Sequence, residues 1–436
     1  MSTMDVRETP LLRQWSEPAD SADWLRALRT RAVASVEQHG FPTPRNEDWH
    51  FTNPAPITEA ALEPMHPAAG ALTEAEVARV AISPAGWARL VFVNGRHAPH
   101  LSTVEPLPNG VRLMSLASAL LEEPTLVEQH LGRVARFEDQ AFAFTALNTA
   151  YMQDGVLLSV PADVTVTTPI HVVFITDARG NGGMAHPRNL FVLGRHARAT
   201  VVEQYVSTAG GTYLTNTVTE AVIGDGATLT HHKLQREGRD AFHVGHIEST
   251  LGRDAHYVSF AFATGAALAR SNIYSTLAGE GCGATLNGLY MLDGTQVSDH
   301  QTRIEHAEPN CYSREHYKGV LDDASHGVFN GKVYVHAVAQ KTDGKQTNNT
   351  LLLSPEARID TKPQLEIFAD DVKCTHGATV GQLDDRMAFY LKSRGIGAAA
   401  ARQLLTYAFA ADVLETIELE SLREALEREA LERFVR

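Results

Sequence analysis

The sequence predicts a mainly β protein, with a central all-β region between two helical ones. From "DGVLLSVPADVTVTTPIHVVFIT" onward, short runs rich in Val, Thr, Ile and Tyr recur with polar or glycine-containing turns and no intervening helix. Two of the turns, "GDGATL" and "GCGATL", are typical of successive steps in stacked coils. On both sides of this region the apolar pattern has a helical period. The spacing alone leaves a sandwich, a barrel, a propeller and a solenoid such as a parallel β-helix open.

Residues 1–150 are predicted to form a mixed, mostly helical domain. The segment "SADWLRALRTRAVASVEQHG" has apolar residues at near-helical spacing and predicts a helix that ends at Gly40. The segment "FPTPRNEDWHFTN" predicts a rigid connection, because its prolines restrict the backbone. After it, "RLVFVNG" predicts a strand, and "FEDQAFAFTALNTAYM" predicts a helix that ends before Gly155.

Residues 151–382 are predicted to be the β core, and residues 383–436 a C-terminal helical domain. Asp384 or Asp385 can cap the helix "DDRMAFYLKSR", and Gly395 can end it. In "AAAARQLLTYAFAADVLETI" the apolar band is broad, so this helix is expected to pack against another surface. Its central stripe is Leu405, Phe409 and Val413.

The last helix, in "SLREALEREALERFVR", is predicted from its charge pairs and its start signal. Ser421 and Glu424 have the spacing of a capping box. The three C-terminal helices are expected to dock on the β region or to offer a face to a partner.

Composition excludes several classes of protein. The 436 residues include 52 acidic and 38 basic side chains, which gives a formal net charge of −14 and argues against nucleic-acid binding. No run approaches the roughly 20 apolar residues that a membrane span requires. The start, "MSTMDVRETPLLRQWSEPAD", lacks the apolar segment of a secretory signal, so we expect a cytoplasmic protein.

The three cysteines, Cys282, Cys311 and Cys374, are widely separated and form no C-x-x-C motif. A disulfide framework or a self-sufficient zinc site is therefore not expected. Reduced thiols fit this pattern, and a metal would need ligands from His, from carboxylates or from another chain.

Cys374 and His376, in "DVKCTHGATVG", are the candidate site residues. They could be a nucleophile and its base, two metal ligands, or a buried thiol and a hydrogen-bonded imidazole with a structural role. In a strand, residues two apart project from the same face. The sequence identifies no orienting residue or oxyanion hole for a nucleophile. A thiol and an imidazole suit iron or an iron–sulfur fragment but leave it under-coordinated, so the missing ligands would come from a second subunit.

Other motifs indicate structural roles. A series of histidines at ten-residue spacing could form a metal ladder, but the spacing is also that of the strands, so we interpret them as hydrogen-bonded or exposed histidines: His306, His316, His326 and His336. The segment "KQTNNT" could form a polar ladder on a solenoid turn, which is a structural role. The segment "GVFNGKV" departs from the P-loop, and G-x-G-x-x-G, H-E-x-x-H and G-x-S-x-G are absent, so nucleotide hydrolysis is not expected.

A β-helix enzyme acting on carbohydrate would require carboxylates clustered along one groove. Asp322 and Asp323 are adjacent, so in a strand they would point to opposite faces. The pattern therefore disfavours this alternative.

From roughly residue 140 to residue 417, the chain resembles the SufB/SufD family of iron–sulfur cluster assembly proteins, most specifically in the C-terminal part of that range. The resemblance is carried by "DGTQVSDHQTRIEH", "CYSREHYKGVLDDASHGVFNGKVYVHAVAQKTDGKQTNNTLLLSPEARIDTKPQLEIFADDVKCTHGATVGQLD", "YLKSRGI" and "LLTYAFAADVL". Further upstream, "LNTAYMQDGVLLSVP" and "RNEDWHFTN" are similar to family motifs. Because no cysteine precedes Cys282, the chain resembles the SufD type rather than the SufB type, which carries an N-terminal cysteine cluster.

The resemblance implies a right-handed parallel β-helix flanked by helical domains. It implies a non-catalytic scaffold in the SufBCD complex, paired with SufB through the β-helix and with the ATPase SufC through the C-terminal helical domain. Carried onto this chain, His376 becomes a ligand of a nascent, transient iron–sulfur cluster shared with SufB, and Cys374 a neighbouring thiol. The chain itself would bind no nucleotide. A structural partner of SufB without a cluster ligand, and a homodimer of the isolated chain, remain alternatives.

Overall fold

The computed structural model describes residues 10–18, 21–65, 72–82, 84, 86–104 and 107–433. The chain is mainly β, with 40% strand and 25% helix, and its centre is a β-solenoid of about 8 turns. Helical regions precede and follow the solenoid along the chain, as the sequence predicts. The expectation about a targeting signal concerns a segment whose first nine residues lie outside the described part of the chain.

The described residues form strands along most of the chain, with α-helices concentrated before β5 and after β21. The described strands are β1 (Glu63–Pro64), β2 (Ala88–Val93), β3 (Arg96–His97), β4 (Arg112–Ser115), β5 (Val156–Val160), β6 (Ile170–Thr176), β7 (Gly183–Ala185), β8 (Arg188–Leu193), β9 (Arg198–Ser207), β10 (Leu214–Ile223), β11 (Thr228–Arg236), β12 (Phe242–Leu251), β13 (His256–Ala263), β14 (Leu268–Leu277), β15 (Gly283–Leu292), β16 (Val297–His306), β17 (Tyr312–Leu321), β18 (His326–Val335), β19 (Asp343–Leu352), β20 (Arg358–Ile367) and β21 (Lys373–Gly381). The described α-helices are α1 (Asp23–His39), α2 (Ala55–Thr58), α3 (Glu74–Val80), α4 (Leu116–Glu122), α5 (Pro124–His130), α6 (Ala143–Tyr151), α7 (Asp385–Ser393), α8 (Ala398–Leu414) and α9 (Glu420–Glu432).

The solenoid consists of two sheets between which the chain passes back and forth. From β8 onward, even-numbered strands form the first sheet in the order β8-β10-β12-β14-β16-β18-β20, and odd-numbered strands form the second in the order β9-β11-β13-β15-β17-β19-β21. All of these neighbours pair in parallel, as in the pair of Gly283 with Tyr312. Each coil therefore places equivalent residues directly above one another.

The core lies between the two sheets, because alternate side chains of both point inward. Its apolar part includes Phe191, Leu229, Leu286, Ile304 and Phe329, which are at most 1% exposed. Burying each such side chain contributes about 1.5–3 kcal/mol relative to leaving it in water.

The interior also contains buried charges, each held by partners on neighbouring coils. Glu203 lies 2.9 Å from the Nε2 atom of His231 and accepts a hydrogen bond from Thr219 at 3.0 Å. Burial alone would raise the pKa of the Glu203 carboxyl, but the hydrogen bond and charge of His231 lower it to about 2. Lys233 lies opposite Gly245, where a Cβ atom would come within 1.9 Å of the lysine Nζ. Burial lowers the pKa of Lys233 to about 8.

The "RNEDWHFTN" motif packs against the solenoid and connects the N-terminal region to it. Trp49 is 1% exposed, and the guanidinium carbon of Arg270 lies 3.9 Å from the centroid of its ring. Arg270 donates to Asp299 at 2.5 Å, and the Thr52 hydroxyl donates to the same carboxylate at 2.6 Å. The motif therefore has a docking role, in which Trp49 and Thr52 contact a charged pair of the solenoid.

The C-terminal helices pack on the second sheet. Ala410, Val413 and Leu414 of α8 are buried in one cluster with residues of the sheet and of α9. The buried stripe of α8 is thus shifted from the predicted one: Val413 is buried, whereas Leu405 and Phe409 are only half-buried. The shift arises because the sheet, rather than the helix's own period, selects the face that is covered.

Two predictions about helix starts have different outcomes. Asp384 caps α7 by accepting a hydrogen bond from the amide of Arg386 at 2.8 Å, as predicted. The predicted capping box of α9 is wrong, because α9 begins at Glu420 with Leu419 at the N-cap and no side-chain cap. Ser421 therefore lies inside the first turn, since the apolar contacts of Leu419 fix the entry of the helix.

Among the described residues, no helix is both long and apolar enough to cross a membrane. The division into domains at residues 150 and 382 stays a prediction.

Candidate functional site

Cys374 and His376 lie on β21, the last strand of the second sheet. In the register with β19, Cys374 pairs with Gly344 and His376 pairs with Gln346. Gly344 and Gln346 are buried, so this face of the sheet points into the solenoid. The two candidate residues therefore project from the same, inward side of the final coil, as their spacing predicts.

The inward side of the final coil is open, since no further described strand stacks on β20 or β21. His376 is accordingly exposed, and Cys374 is half-buried beside Leu365 and Val372. The lack of a side chain at Gly344 leaves room for the Cys374 thiol, because a Cβ atom at residue 344 would lie 3.3 Å from the Cys374 sulfur. Burial raises the pKa of the Cys374 thiol, so binding a metal would require a cation or a base to displace its proton.

A column of polar side chains runs from His376 into the preceding coils of the same sheet. The next residue in this ladder is Gln346, whose Nε2 atom donates to the Glu315 carboxyl group at 3.2 Å. The Thr302 hydroxyl donates to the same Glu315 oxygen at 2.6 Å. Burial raises the pKa of Glu315 from 4.5 to about 7, so this carboxyl group keeps its proton up to near-neutral pH.

The column is incompletely satisfied among the described residues. The Oε1 atoms of Glu315 and Gln346 are buried and have no hydrogen-bond partner there. Gly331 makes room for the Gln346 amide, since a Cβ atom at Gly331 would lie 2.0 Å from its nitrogen. Gly331 belongs to "GVFNGKV", which lies in strand β18 and packs against the column.

Sequence reasoning missed Glu315 and Gln346 as members of this site. The signal was present in "KQTNNT", which was expected to form a polar ladder on a solenoid turn; the structure places it instead in strand β19, where it makes polar contacts with β20 and β21. Asn348 donates to Thr361 at 3.1 Å, and Thr379 donates to Asn349 at 2.8 Å. Only the register between β17, β19 and β21 shows that one rung of this ladder lies below His376.

The histidines at ten-residue spacing do not stack, because the coil repeat is about 30 residues, as in the pairing of His306 with Val335. Each contacts a different group at a different place. The contacts are His306 with Ser313 at 2.9 Å, His316 with Asp412 at 3.7 Å, His326 with Asp360 at 2.7 Å, and His336 with Glu305 at 2.8 Å. The Nδ1 atom of His306 is buried without a hydrogen-bond partner among the described residues, so the interpretation as satisfied or exposed histidines stays a prediction.

Asp322 and Asp323, which would point to opposite faces in a strand, do not lie in one. Both follow the end of β17 and lie in a turn, where Asp323 has a φ of 52°. The Asp322 carboxylate accepts a hydrogen bond from the Asp323 amide at 3.0 Å and closes the turn. These carboxylates therefore have a local structural role at a corner of the solenoid.

Apolar side chains are exposed near the open end of the solenoid. Ile367, Phe368 and Val380 are 38%, 58% and 51% exposed. Helix α7, which follows β21, has no buried residue among those described and exposes Met387, Phe389 and Tyr390. Exposed apolar groups in such a cluster are typical of a surface that binds another protein.

In chemical terms the site offers one thiol and one imidazole on an open face. Among the described residues, no group of three or more His, Cys, Asp or Glu side chains is placed to hold a metal ion. Sulfur and nitrogen donors suit iron and iron–sulfur species, but two donors leave coordination positions to be filled from elsewhere.

Comparisons with known proteins agree with the resemblance found in the sequence. Residues 174–409 match the family model described as "SUF system FeS cluster assembly, SufBD core domain", and residues 16–172 match that of the SufBD protein N-terminal region. The iron–sulfur cluster assembly protein SufD of Escherichia coli is 33% identical over 416 residues, covering 95% of this chain and 94% of the relative. A SufBD family protein of Synechocystis is 34% identical over 411 residues, covering 92% and 87%. SufD of Bacillus subtilis is 29% identical over 432 residues, covering 95% of both chains.

Proposed function

Because this chain belongs to the SufBD family of iron–sulfur cluster assembly proteins and is similar to SufD, we propose that it is a non-catalytic scaffold subunit that supplies half of a nascent cluster site. His376 would be a cluster ligand, and Cys374 a second, conditional donor. SufB would supply the remaining ligands. The cluster is cargo that forms at the site and leaves it.

The single observation that carries this proposal is the position of the two donors on the open end of the solenoid. Elsewhere in the solenoid, inward-facing side chains are covered by the next coil, whereas His376 is exposed. An inward-facing imidazole on an open coil can meet ligands from a partner that stacks on the same end. The incomplete coordination of the site has a direct explanation if the partner completes it.

The same end of the solenoid suits pairing with SufB. Strands β20 and β21 present the outer edges of the two sheets, and such edges favour pairing with another chain. The exposed side chains of Ile367, Phe368 and Val380 would add apolar contact at this interface.

The C-terminal helices would bind the ATPase SufC. The exposed apolar residues of α7 would form the docking surface, while α8 anchors it to the solenoid. Lys318 of β17 donates to the carbonyl oxygen of Phe409 at 2.9 Å, which connects α8 to the same stack of strands as β21. ATP-driven movement of SufC could then shift the shared cluster site between two arrangements.

Further expectations complete this proposal. The solenoid would be right-handed, the domain boundaries would lie near residues 150 and 382, and the protein would be cytoplasmic. The chain would bind no nucleotide and catalyse no bond-making step.

The test is anaerobic iron–sulfur reconstitution of the complex with SufB and SufC, using wild type and His376→Ala. We expect both complexes to assemble, and the visible absorption of the cluster to fall several-fold only in His376→Ala. His100→Ala is the matched control, since His100 is also exposed but lies in the N-terminal region. Unchanged absorption with an intact complex would assign the cluster to SufB alone and leave this chain as its structural partner.

A further inference from the structure

Cys282 and Cys311 face each other across two adjacent coils. Each immediately precedes a strand of the second sheet, and Gly283 of β15 pairs with Tyr312 of β17, so the two cysteines occupy one register position. The Tyr312 amide donates to the Cys282 carbonyl oxygen at 3.1 Å, which continues the ladder to this point. The two sulfur atoms are 3.6 Å apart.

Packing alone does not require a thiol at this position. The three preceding coils carry Ala197, Ala227 and Ala255 there, in the same ladder of backbone hydrogen bonds. All three alanines are 4% exposed or less. A methyl group therefore fills the corner in these coils, and the sulfur atoms of the next two coils are additional groups placed in contact.

The two thiols are buried beneath a half-exposed loop. Cys282 and Cys311 are 0% and 1% exposed. Their sulfur atoms lie 2.9 and 3.3 Å from the carbonyl oxygen of Gly279, in the half-exposed turn "GEG" that precedes Cys282. The hydrogen bond from the Cys282 thiol lowers the pKa of Cys311, so Cys311 is the first of the pair to ionise.

We propose that Cys282 and Cys311 are a redox modification site, at which a low-molecular-mass disulfide oxidises the pair to a reversible intramolecular disulfide. Neighbouring strands lie about 4.7–4.9 Å apart, which falls within the Cα separation of about 4.4–6.8 Å that disulfides span. The sulfur atoms need to approach each other, and no change of register is required.

The reaction proceeds by two thiol–disulfide exchanges. The Cys311 thiolate attacks one sulfur of the reagent, and the first reagent thiolate leaves. The Cys282 thiol then loses its proton and attacks the Cys311 sulfur, and the second reagent thiolate leaves. Two protein thiols are oxidised, and one reagent disulfide is reduced to two thiols after the released thiolates take up the protons.

The bond would cross-link one complete coil, since the two cysteines are 29 residues apart. Closing a loop of this length restricts the unfolded chain more than the folded one, because the native sulfur atoms are already in contact. The oxidised protein is therefore expected to unfold at a higher temperature, and a thiol reductant should reverse the shift.

The experiment exposes the reduced, full-length wild type to increasing concentrations of glutathione disulfide, then quenches with acid, alkylates under denaturing conditions and maps the peptides by mass. We expect a Cys282–Cys311 linked peptide that is about 2 Da lighter than the two free peptides together, because two hydrogens are lost. Half-buried Cys374 reports when the oxidant has reacted, since it is the most exposed of the three thiols.

Two variants sharpen the result. Cys374→Ala should retain the link, whereas Cys311→Ala should lose both the link and the reversible rise in Tm. Alanine already fills this corner in three coils, so Cys311→Ala is expected to fold. Full alkylation of Cys282 and Cys311 at concentrations that modify Cys374, or a link from either one to Cys374, would overturn the proposal.

Discussion

Replacing Glu315 with Gln tests whether a protonated carboxyl group lies beneath the candidate site. Glu315 is 2% exposed, accepts hydrogen bonds from Thr302 and Gln346, and has a pKa that burial raises from 4.5 to about 7. Glutamine has nearly the same shape as a protonated glutamate and can accept the same two hydrogen bonds. Glu315→Gln should therefore preserve the fold while removing one titration.

The sign of the effect follows from the raised pKa. Below about pH 4.5 Glu315 is protonated in both the folded and the unfolded chain, so its stabilising contribution is fully present. As the pH rises toward 7, the unfolded chain loses this proton while the folded chain retains it, and the contribution is lost. Each pKa unit corresponds to about 1.4 kcal/mol, so between pH 5 and pH 8 wild type should lose about 2–3 kcal/mol relative to Glu315→Gln.

The assay is urea unfolding of both proteins at pH 5, 6, 7 and 8, followed by circular dichroism and by tryptophan fluorescence. The difference in unfolding free energy between variant and wild type should grow from pH 5 to pH 7 in favour of the variant and level off toward pH 8, where the folded chain also loses the proton. Glu356→Gln is the control, because Glu356 is exposed, and its difference from wild type should remain nearly constant. A difference for Glu315→Gln that stays constant with pH would refute the reasoning, whatever its size.

Two further predictions concern the polar interior and the attachment of the C-terminal helices. Arg188→Met should destabilise the fold by about 3–5 kcal/mol in urea unfolding, because it leaves Glu220, ion-paired at 2.6 Å and fully buried, without its cation. Adding Glu220→Gln should restore part of that loss. If the double variant were instead destabilised by the sum of the two single effects, this explanation would be wrong. Lys318→Ala removes the donor to the Phe409 carbonyl oxygen, so amide hydrogen exchange in α8 should accelerate by an amount equivalent to about 1.5–3 kcal/mol, while β9 is unaffected.

Local patterns in the sequence predicted where helices and strands lie better than they predicted the tertiary contacts between them. The period of apolar residues placed α1, and the side chain of Asp384 identified the start of α7, because both depend on neighbours within a few residues. The capping box at Ser421 was wrong for the complementary reason. Leu419 packs against the rest of the cluster, and this tertiary contact decides where α9 begins.

The composition of the candidate site shows the same limit. The spacing of Cys374 and His376 was sufficient to place both on one face of a strand. That Gln346 and Glu315 lie beneath His376 depends on the lengths of two complete coils, and therefore on several turns at once. A one-residue change in any of these turns would move the column to the opposite face, so periodicity alone could not identify it.

The open end of the solenoid also has a thermodynamic consequence. In a stack whose coils contact only their neighbours, stability is approximately a sum of terms for each coil and for each interface between coils. An internal coil has two such interfaces, whereas the coil of β20 and β21 has one among the described strands. It should therefore fray first, and a protein stacking on it would supply the missing interface term. Binding of a partner at this end would therefore stabilise the strand that carries His376 more than any other part of the solenoid.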